Sequence, residues 1–156
     1  MKSLKAVEKQ LMGSEQSNTR SRWLTMIEFF MPIIPPETTH QQKKVHVVNG
    51  KPYFYEPDDL KKARVKLMGH LSEHTPKSKI MRPVRMMVKW CFPIVGSHED
   101  GEYKYTKPDL DNSNKLLQDC MTKLGFWKDD SYVVSLIIEK FWAATPGIYI
   151  RIEEIE

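Results

Sequence analysis

The sequence predicts a single α+β domain in which helices cover a mixed β-sheet, and three kinds of pattern indicate this fold class. Several runs alternate apolar and polar residues, as strands do, and two segments repeat apolar residues at helical spacing. An Asn49-Gly50 pair between two β-rich runs is a strong hairpin signal. The predicted order of elements is β, ββ, α, β, loop, α, ββ.

The first half of the chain is predicted to form a strand, a hairpin and a helix. The segment LTMIEFFMP, from Leu24, has the composition of a strand that Pro32 ends. The hairpin follows in VHVVNGKPYFY, because a type I′ turn needs positive φ at both central residues and Asn-Gly tolerates it. In DDLKKARVKLMGHL, residues Leu60, Leu67 and Leu71 recur at helical spacing, which predicts a helix after the hairpin.

The second half is predicted to form a strand, a loop, a helix and a closing hairpin. The strand is RPVRMMVKWCFPI and the loop is VGSHEDGEYKYT. The second helix is predicted to start near Asp111 or Asn112 and to stop at Gly125, since glycine readily takes the left-handed conformation that ends helices. In SYVVSLIIEKFWAATPGIYIRIEEI, two strand patterns flank residues 145–147, which predicts a hairpin with its turn there.

Length and composition indicate one domain with an N-terminal extension. The 156 residues are enough for one domain with its own core. Residues 1–23 end in a polar run and are predicted to be an extension that is partly disordered, and residues 24–156 are predicted to be the domain. No apolar run approaches the roughly 20 residues of a membrane helix, and the N-terminus lacks the apolar core of a signal peptide. We therefore expect a cytoplasmic protein with reduced thiols at Cys91 and Cys120.

Charge is distributed unevenly along the chain. Residues 1–98 contain 17 Lys and Arg against 8 Asp and Glu, whereas residues 99–156 contain 7 against 12. A basic region suits a polyanion such as nucleic acid. Carboxylates repel phosphate, so an acidic cluster in a nucleic-acid-binding protein is explained if divalent cations lie between the carboxylates and the phosphates.

The acidic cluster begins in the motif KPDLDNSNKLLQDC. Asp109 and Asp111 are two residues apart, so on extended backbone both carboxylates point to one side while Leu110 packs inward. Two carboxylates on one side are typical of metal ligands. Asp111 or Asn112 is equally explained as the cap of the helix that starts there, and the two roles can coexist.

A lysine and three more aspartates extend the motif. Lys115 lies four residues after Asp111 and four before Asp119, so the Lys115–Asp119 pair is equally explained as a salt bridge on the helix surface. Asp129 and Asp130 follow a Gly-aromatic turn and precede a strand, and alone they would be typical of a solvated turn. The complete array favours a metal site.

The candidate ligands are all carboxylates, which suit Mg²⁺, with Mn²⁺ as a possible substitute. Magnesium takes few protein ligands and leaves its other positions to water and substrate phosphate. Such a site can activate water for phosphodiester hydrolysis and stabilise the leaving 3′ oxygen. Lys115 would orient the scissile phosphate or offset charge in the transition state.

These residues also carry a resemblance to a known family. The RusA family of Holliday-junction resolvases, homodimeric Mg²⁺-dependent endonucleases common in bacteriophages, has a signature that closely resembles PDLDNSNKLLQDCM and GFWKDDSYVVSLIIEK. The resemblance is specific from Lys107 to Lys140. What it implies for the site is a set of metal ligands, Asp109, Asp111, Asp129 and Asp130, and a set of catalytic residues, Asp109, Asp111, Lys115 and Asp130. Asp119 and Asn112 are assigned to the same site in roles that the resemblance leaves open.

The resemblance further implies branched DNA as substrate and a second copy of the chain as partner. We therefore expect an endonuclease that resolves four-way junctions by paired nicking, in the cytoplasm of a bacterial host if it is phage-encoded. Three alternatives remain at this point: a flap, fork or general metal-dependent nuclease, a non-catalytic junction-binding protein, and a structural domain whose acidic loop merely binds ions. Basic residues near the motif are candidates for contacts with DNA, namely Arg82, Arg85, Lys89, Lys104 and Lys107.

Overall fold

A computed structural model of the chain describes residues 24–38 and 44–156. The predicted extension, residues 1–23, lies outside the described residues, so its prediction stays open. The elements are β1 (Met26–Met31), β2 (Lys44–Val48), β3 (Lys51–Tyr55), α1 (Asp58–Ser72), β4 (Val84–Pro93), α2 (Leu110–Leu124), a 3₁₀ turn (Asp130–Tyr132), β5 (Val133–Ala143) and β6 (Gly147–Glu154).

Four strands form one mixed sheet in the order β1, β6, β4, β5. β4 and β5 are parallel, and the other neighbouring pairs are antiparallel. Alternate β4 residues, among them Met86 and Trp90, are buried in one core with Leu67 of α1 and Leu117 of α2. Both helices therefore cover the same face of the sheet, and the predicted α+β fold class is confirmed.

The predicted closing hairpin is wrong. β5 and β6 are each paired with β4, which lies between them, and the register runs along most of β4 on both sides. The chain from β5 to β6 therefore crosses the end of β4. Gly147 begins β6 where the backbone of β1 approaches closely, because a Cβ added there would lie 2.5 Å from the Met31 carbonyl oxygen. The choice of strand partner is nonlocal, so a turn pattern alone did not reveal it.

The predicted hairpin at Asn49-Gly50 is confirmed. Asn49 and Gly50 have φ angles of 51° and 75°, as a type I′ turn requires. β2 and β3 pair through this turn and form a separate two-stranded sheet.

Both predicted helices are confirmed, with a small difference at the start of the second. α2 begins at Leu110, slightly before the predicted start at Asp111 or Asn112, and ends at Gly125, whose φ is 89°. The aromatic residues of the following turn, Phe126 and Trp127, are fully buried in the core. In the described part of the chain, no helix is long and apolar enough to cross a membrane.

Candidate active site around Lys115

The first turn of α2 presents two of the predicted aspartates to solvent. Asp109 occupies the N-cap position with extended backbone, and its carbonyl oxygen accepts the Ser113 N–H at 3.1 Å. Its carboxylate makes no side-chain cap bond, although Asp109 rather than Asp111 or Asn112 holds the cap position. The predicted cap at Asp111 or Asn112 is therefore wrong. Asp109 and Asp111 are both exposed.

Lys115 lies between two carboxylates from different elements. Its Nζ is 3.3 Å from Oδ1 of Asp119, one turn later on α2, and 3.6 Å from Oδ2 of Asp130 on the 3₁₀ turn. The two carboxylates, Asp119 first, raise the pKa of the Lys115 ammonium above its ordinary value. The side chain remains about half exposed, at 52%. Lys115 is thus a charged and accessible cation, and the predicted salt bridge with Asp119 is confirmed.

Asp129 and Asp130 are placed by the tight turn that links α2 to β5. Asp129 caps this turn, since its Oδ1 accepts the Ser131 N–H at 2.8 Å. Hydrogen bonds from Ser131 lower the pKa of the Asp129 carboxyl. The cap orients Asp129 outward, and the next residue, Asp130, faces Lys115. The sequence-based interpretation of Asp129 and Asp130 as turn residues is therefore correct, and the turn places both carboxylates beside Lys115.

Lys115, Asp119, Asp129 and Asp130 line a shallow cavity of about 390 Å³, whereas Asp109 and Asp111 are not among its lining residues. Three cationic and three carboxylate side chains meet there, which allows the cavity to accept a phosphate and a cation together. The lining residues are Arg64, Lys115, Asp119, Thr122, Lys123, Asp129 and Asp130.

The sequence analysis missed three members of this cavity, Thr122, Lys123 and Arg64. Arg64 forms an ion pair with Glu56. Its Nε and Nη2 donate to Oε1 of Glu56 at 3.0 and 2.9 Å, and its side chain is only 13% exposed. Its Nη1 is buried and makes no hydrogen bond with another described residue. The signal was present, because Arg64 follows Leu60 by four residues and precedes Leu67 by three, which is the spacing of the buried face of α1.

The donor set suits a hard divalent cation, because it consists of carboxylates alone. In residues 24–38 and 44–156, no three His, Cys, Asp or Glu side chains converge closely enough to hold an ion. Lys115 takes the position between Asp119 and Asp130 that a bridging cation would occupy. One or two carboxylates suffice for Mg²⁺, which keeps several waters and adds substrate phosphate oxygens, so the exposed carboxylates of this site fit it.

Two other lysines support the loop that leads into α2. Lys140 donates from Nζ to the carbonyl oxygens of Thr106 and Pro108 at 2.6 and 2.7 Å. Lys104 is buried, donates to Thr106 and to the carbonyl oxygen of Lys107, and lies 4.6 Å from the Trp142 ring centroid. Burial lowers the pKa of both ammonium groups. These contacts disfavour the predicted DNA contact of Lys104, because its charge is turned inward.

Of the remaining predicted DNA contacts, Arg82 is half-buried two residues before β4, and the other three are divided between two surfaces. Lys107 is exposed and precedes Asp109 by two residues. Arg85 and Lys89 lie on the outer face of the sheet, where Arg85 is 3.9 Å from Glu153 and Lys89 is 5.8 Å from the Tyr149 ring centroid. The sheet separates these two from α2. The predicted basic surface is therefore not one continuous surface with the acidic site.

Comparison with known proteins identifies the family of the chain. A family model described as "Endodeoxyribonuclease RusA" matches residues 32–153, which include every side chain that lines the cavity. The crossover junction endodeoxyribonuclease of Lactococcus phage r1t is 33% identical over 130 residues, covering 82% of this chain and 98% of that protein. The protein YqaN of Bacillus subtilis is 32% identical over 118 residues, covering 69% and 82% of the two chains. On the strength of the family model and these relatives, the chain belongs to the RusA family of endodeoxyribonucleases.

Proposed function

We propose that the chain resolves four-way DNA junctions by paired phosphodiester nicking, with Mg²⁺ as its cofactor, as a homodimer in the cytoplasm of a bacterial host. The relative from phage r1t is named a crossover junction endodeoxyribonuclease, and this name supports a DNA junction as the substrate. The observation that carries the chemistry is Lys115, an exposed ammonium between the carboxylates of Asp119 and Asp130.

The metal ligands we propose are four carboxylates, two at the start of α2 and two on the turn beside Lys115. Asp109 and Asp111 project from the start of α2, and Asp129 and Asp130 come from the turn before β5. When bound, the ion supplies Lewis acidity to the phosphodiester and to the attacking water. Mn²⁺ has the same preference for carboxylate and water ligands and is expected to substitute.

Lys115 is proposed to bind the scissile phosphate. A phosphate oxygen competes with the carboxylates for its ammonium, and the raised pKa keeps that ammonium charged at neutral pH. Asp119 orients the lysine along α2, while Asp130 holds it over the cavity. The ammonium then offsets negative charge as it develops on the phosphate.

A homodimer is proposed because a junction has near two-fold symmetry. One active site per subunit in a dimer with two-fold symmetry can cut two opposed strands in one encounter. Resolution of junctions would serve recombination, repair or replication of the genome that encodes the protein.

The test is cleavage of a synthetic mobile junction, compared with linear duplex and flap DNA, with and without Mg²⁺. We expect symmetric nicks that need the metal in the wild type, and loss of nicking with retained junction binding in Asp111→Asn. Asp58→Asn is the matched control, since Asp58 is an exposed first-turn aspartate of α1.

Two outcomes would contradict the proposal. Equal cutting of all three DNA substrates would identify a general nuclease. Junction binding without cleavage by the wild type in either metal would identify a binding protein.

A further inference from the structure

The loop between β4 and α2 carries an aromatic side chain that the proposed chemistry does not use. Tyr105 is 86% exposed, the highest fraction among the large apolar and aromatic side chains of the described residues. No hydrogen bond or ring contact joins this side chain to another described residue. Its ring is therefore open to a partner from outside the chain.

The neighbouring aromatic rings, in contrast, have partners within the chain. Tyr103, two residues earlier in the same loop, stacks on Phe141 of β5 with ring centroids 4.8 Å apart. Trp142 is buried and lies 4.6 Å from the Lys104 ammonium. Packing of the loop against β5 thus accounts for these rings and leaves Tyr105 unexplained.

Hydrogen bonds hold the loop on both sides of Tyr105. The Lys104 N–H donates to the Lys140 carbonyl oxygen at 2.9 Å, and the Lys104 ammonium donates to the Thr106 hydroxyl and the Lys107 carbonyl oxygen. The Lys140 ammonium in turn donates to the Thr106 carbonyl oxygen at 2.6 Å. The segment that presents the Tyr105 ring is consequently preorganised, which lowers the entropy cost of binding a ligand there.

The loop leads directly to the first of the proposed metal ligands. Tyr105 precedes Asp109 by four residues, so their Cα atoms are at most about 14 Å apart. One strand of DNA advances about 3.4 Å per nucleotide, so this distance corresponds to about four nucleotides. A base in contact with Tyr105 therefore lies only a few nucleotides from a phosphate at the metal site.

An uncharged ring in this place suits a nucleobase. Bases of a linear duplex are stacked on both faces, whereas a base at a branch point can lose one neighbour and expose a face. Stacking on an aromatic side chain replaces that neighbour and tolerates any of the four bases. Lys107, exposed two residues after Tyr105, supplies a cation for the adjoining phosphate.

We propose that Tyr105 stacks on an exposed base at the branch point and makes binding selective for branched DNA. This inference rests on the proposed function for its DNA substrate. The proposed metal site acts on a phosphodiester, which junction and duplex share, so discrimination between them requires a contact that depends on the shape of the DNA.

The test is the affinity of full-length Tyr105→Leu and Tyr105→Phe for a four-way junction and for linear duplex of the same sequence, without metal. We expect Tyr105→Leu to bind the junction on the order of 10-fold more weakly and the duplex as the wild type does, because only stacking is lost. Tyr105→Phe keeps the ring and is expected to bind both DNAs normally. Tyr53→Leu is the matched control, since Tyr53 is a tyrosine of β3 that is 57% exposed.

A second measurement observes the base itself. The base analogue 2-aminopurine, placed at the branch point, is expected to lose fluorescence on binding of the wild type or Tyr105→Phe, because stacking quenches it. At saturating Tyr105→Leu the fluorescence should persist. Urea unfolding should be the same for all three proteins, since the side chain is almost fully exposed.

Several results would overturn the inference. Normal junction affinity and normal quenching with Tyr105→Leu would exclude the stacking contact, and equal losses on junction and duplex would exclude its selectivity. An equal loss with Tyr53→Leu would show that the effect is not specific to this loop. If the wild type bound but did not cleave the junction while the Tyr105 effects held, the proposed function would fail and this inference would stand. Normal cleavage with an unaffected Tyr105→Leu would have the reverse meaning.

Discussion

Lys115 on α2 and the two lysines that support the loop before α2, Lys104 and Lys140, lie in contrasting environments. Lys115 is about half exposed, its partners are the carboxylates of Asp119 and Asp130, and its pKa is raised. Lys104 and Lys140 are more enclosed, their main partners are backbone carbonyls and a hydroxyl group, and their pKa values are lowered by burial.

The difference between the environments separates a chemical role from a structural one. A carboxylate partner at the surface can be exchanged for a phosphate oxygen, because water stabilises the released carboxylate. If a buried ammonium leaves the backbone carbonyls that it binds, no equivalent hydrogen-bond donor replaces it. The same residue type is therefore proposed to bind substrate at Lys115, and it supports the Thr106–Pro108 loop at Lys104 and Lys140.

The largest effect is expected from Lys115→Met, which keeps most of the side-chain volume and removes the charge. Junction cleavage should fall about 100-fold, while junction binding and the free energy of unfolding change little, because the charge acts mainly in the transition state. Single-turnover cleavage on a labelled junction measures the rate. Lys123→Met is the control, since Lys123 lines the same cavity without an ion pair to Asp119 or Asp130. A wild-type cleavage rate in Lys115→Met would show that the Lys115 ammonium has no role in the cleavage reaction.

The second effect is expected from Lys140→Met. The substitution removes two hydrogen bonds to carbonyl oxygens, so the free energy of unfolding should fall by about 2 kcal/mol. Urea unfolding measures the change, with the exposed Lys128→Met as the control. Unchanged stability would show that the loop holds its conformation without Lys140.

Gly125→Ala should have a smaller effect, of about 1 kcal/mol, because φ of 89° is unfavourable for a residue with a Cβ. The added Cβ would meet only Lys79 Cε at 3.5 Å, which is an ordinary contact. Urea unfolding again measures it, and Gly69→Ala within α1 is the control that should be neutral or stabilising. A loss well above 1 kcal/mol would mean that the turn toward Asp129 is more tightly constrained than the contacts indicate.

The smallest and most direct comparison is the titration of the lysines themselves, in protein without metal. Side-chain NMR should show Lys115 losing its proton above pH 10.5, and Lys104 and Lys140 losing theirs below it. The stability that Lys115 contributes is present below pH 10.5 and is lost as pH rises through its folded pKa. For Lys104 and Lys140 the sign is opposite, because the unfolded chain binds more protons between the folded pKa and pH 10.5, so stability rises with pH across that window. If all three lysines lost their protons at the same pH, the proposed difference between their environments would be contradicted.

Short-range patterns were sufficient for most individual elements. The Asn49-Gly50 turn needs only two residues that tolerate positive φ, and the helix stop at Gly125 needs one. The spacing of Lys115 and Asp119 on one helix likewise predicted their ion pair, since residues four apart are neighbours on a helix. These features depend on interactions within a few residues, which the order of amino acids already specifies.

Contacts between distant segments were not predictable in this way. β5 and β6 follow each other in sequence, but β4 lies between them and pairs with both. The approach of Asp130 to Lys115, the burial of Arg64 beside the cavity and the inward turn of Lys104 also depend on how α1, α2 and β5 pack. Residue types and their spacing thus defined the helices, the first hairpin and the acidic motif, whereas packing set the strand order and the surroundings of each charge. The physical reason is that burial and electrostatic partners depend on distances in space, which separation along the chain does not specify.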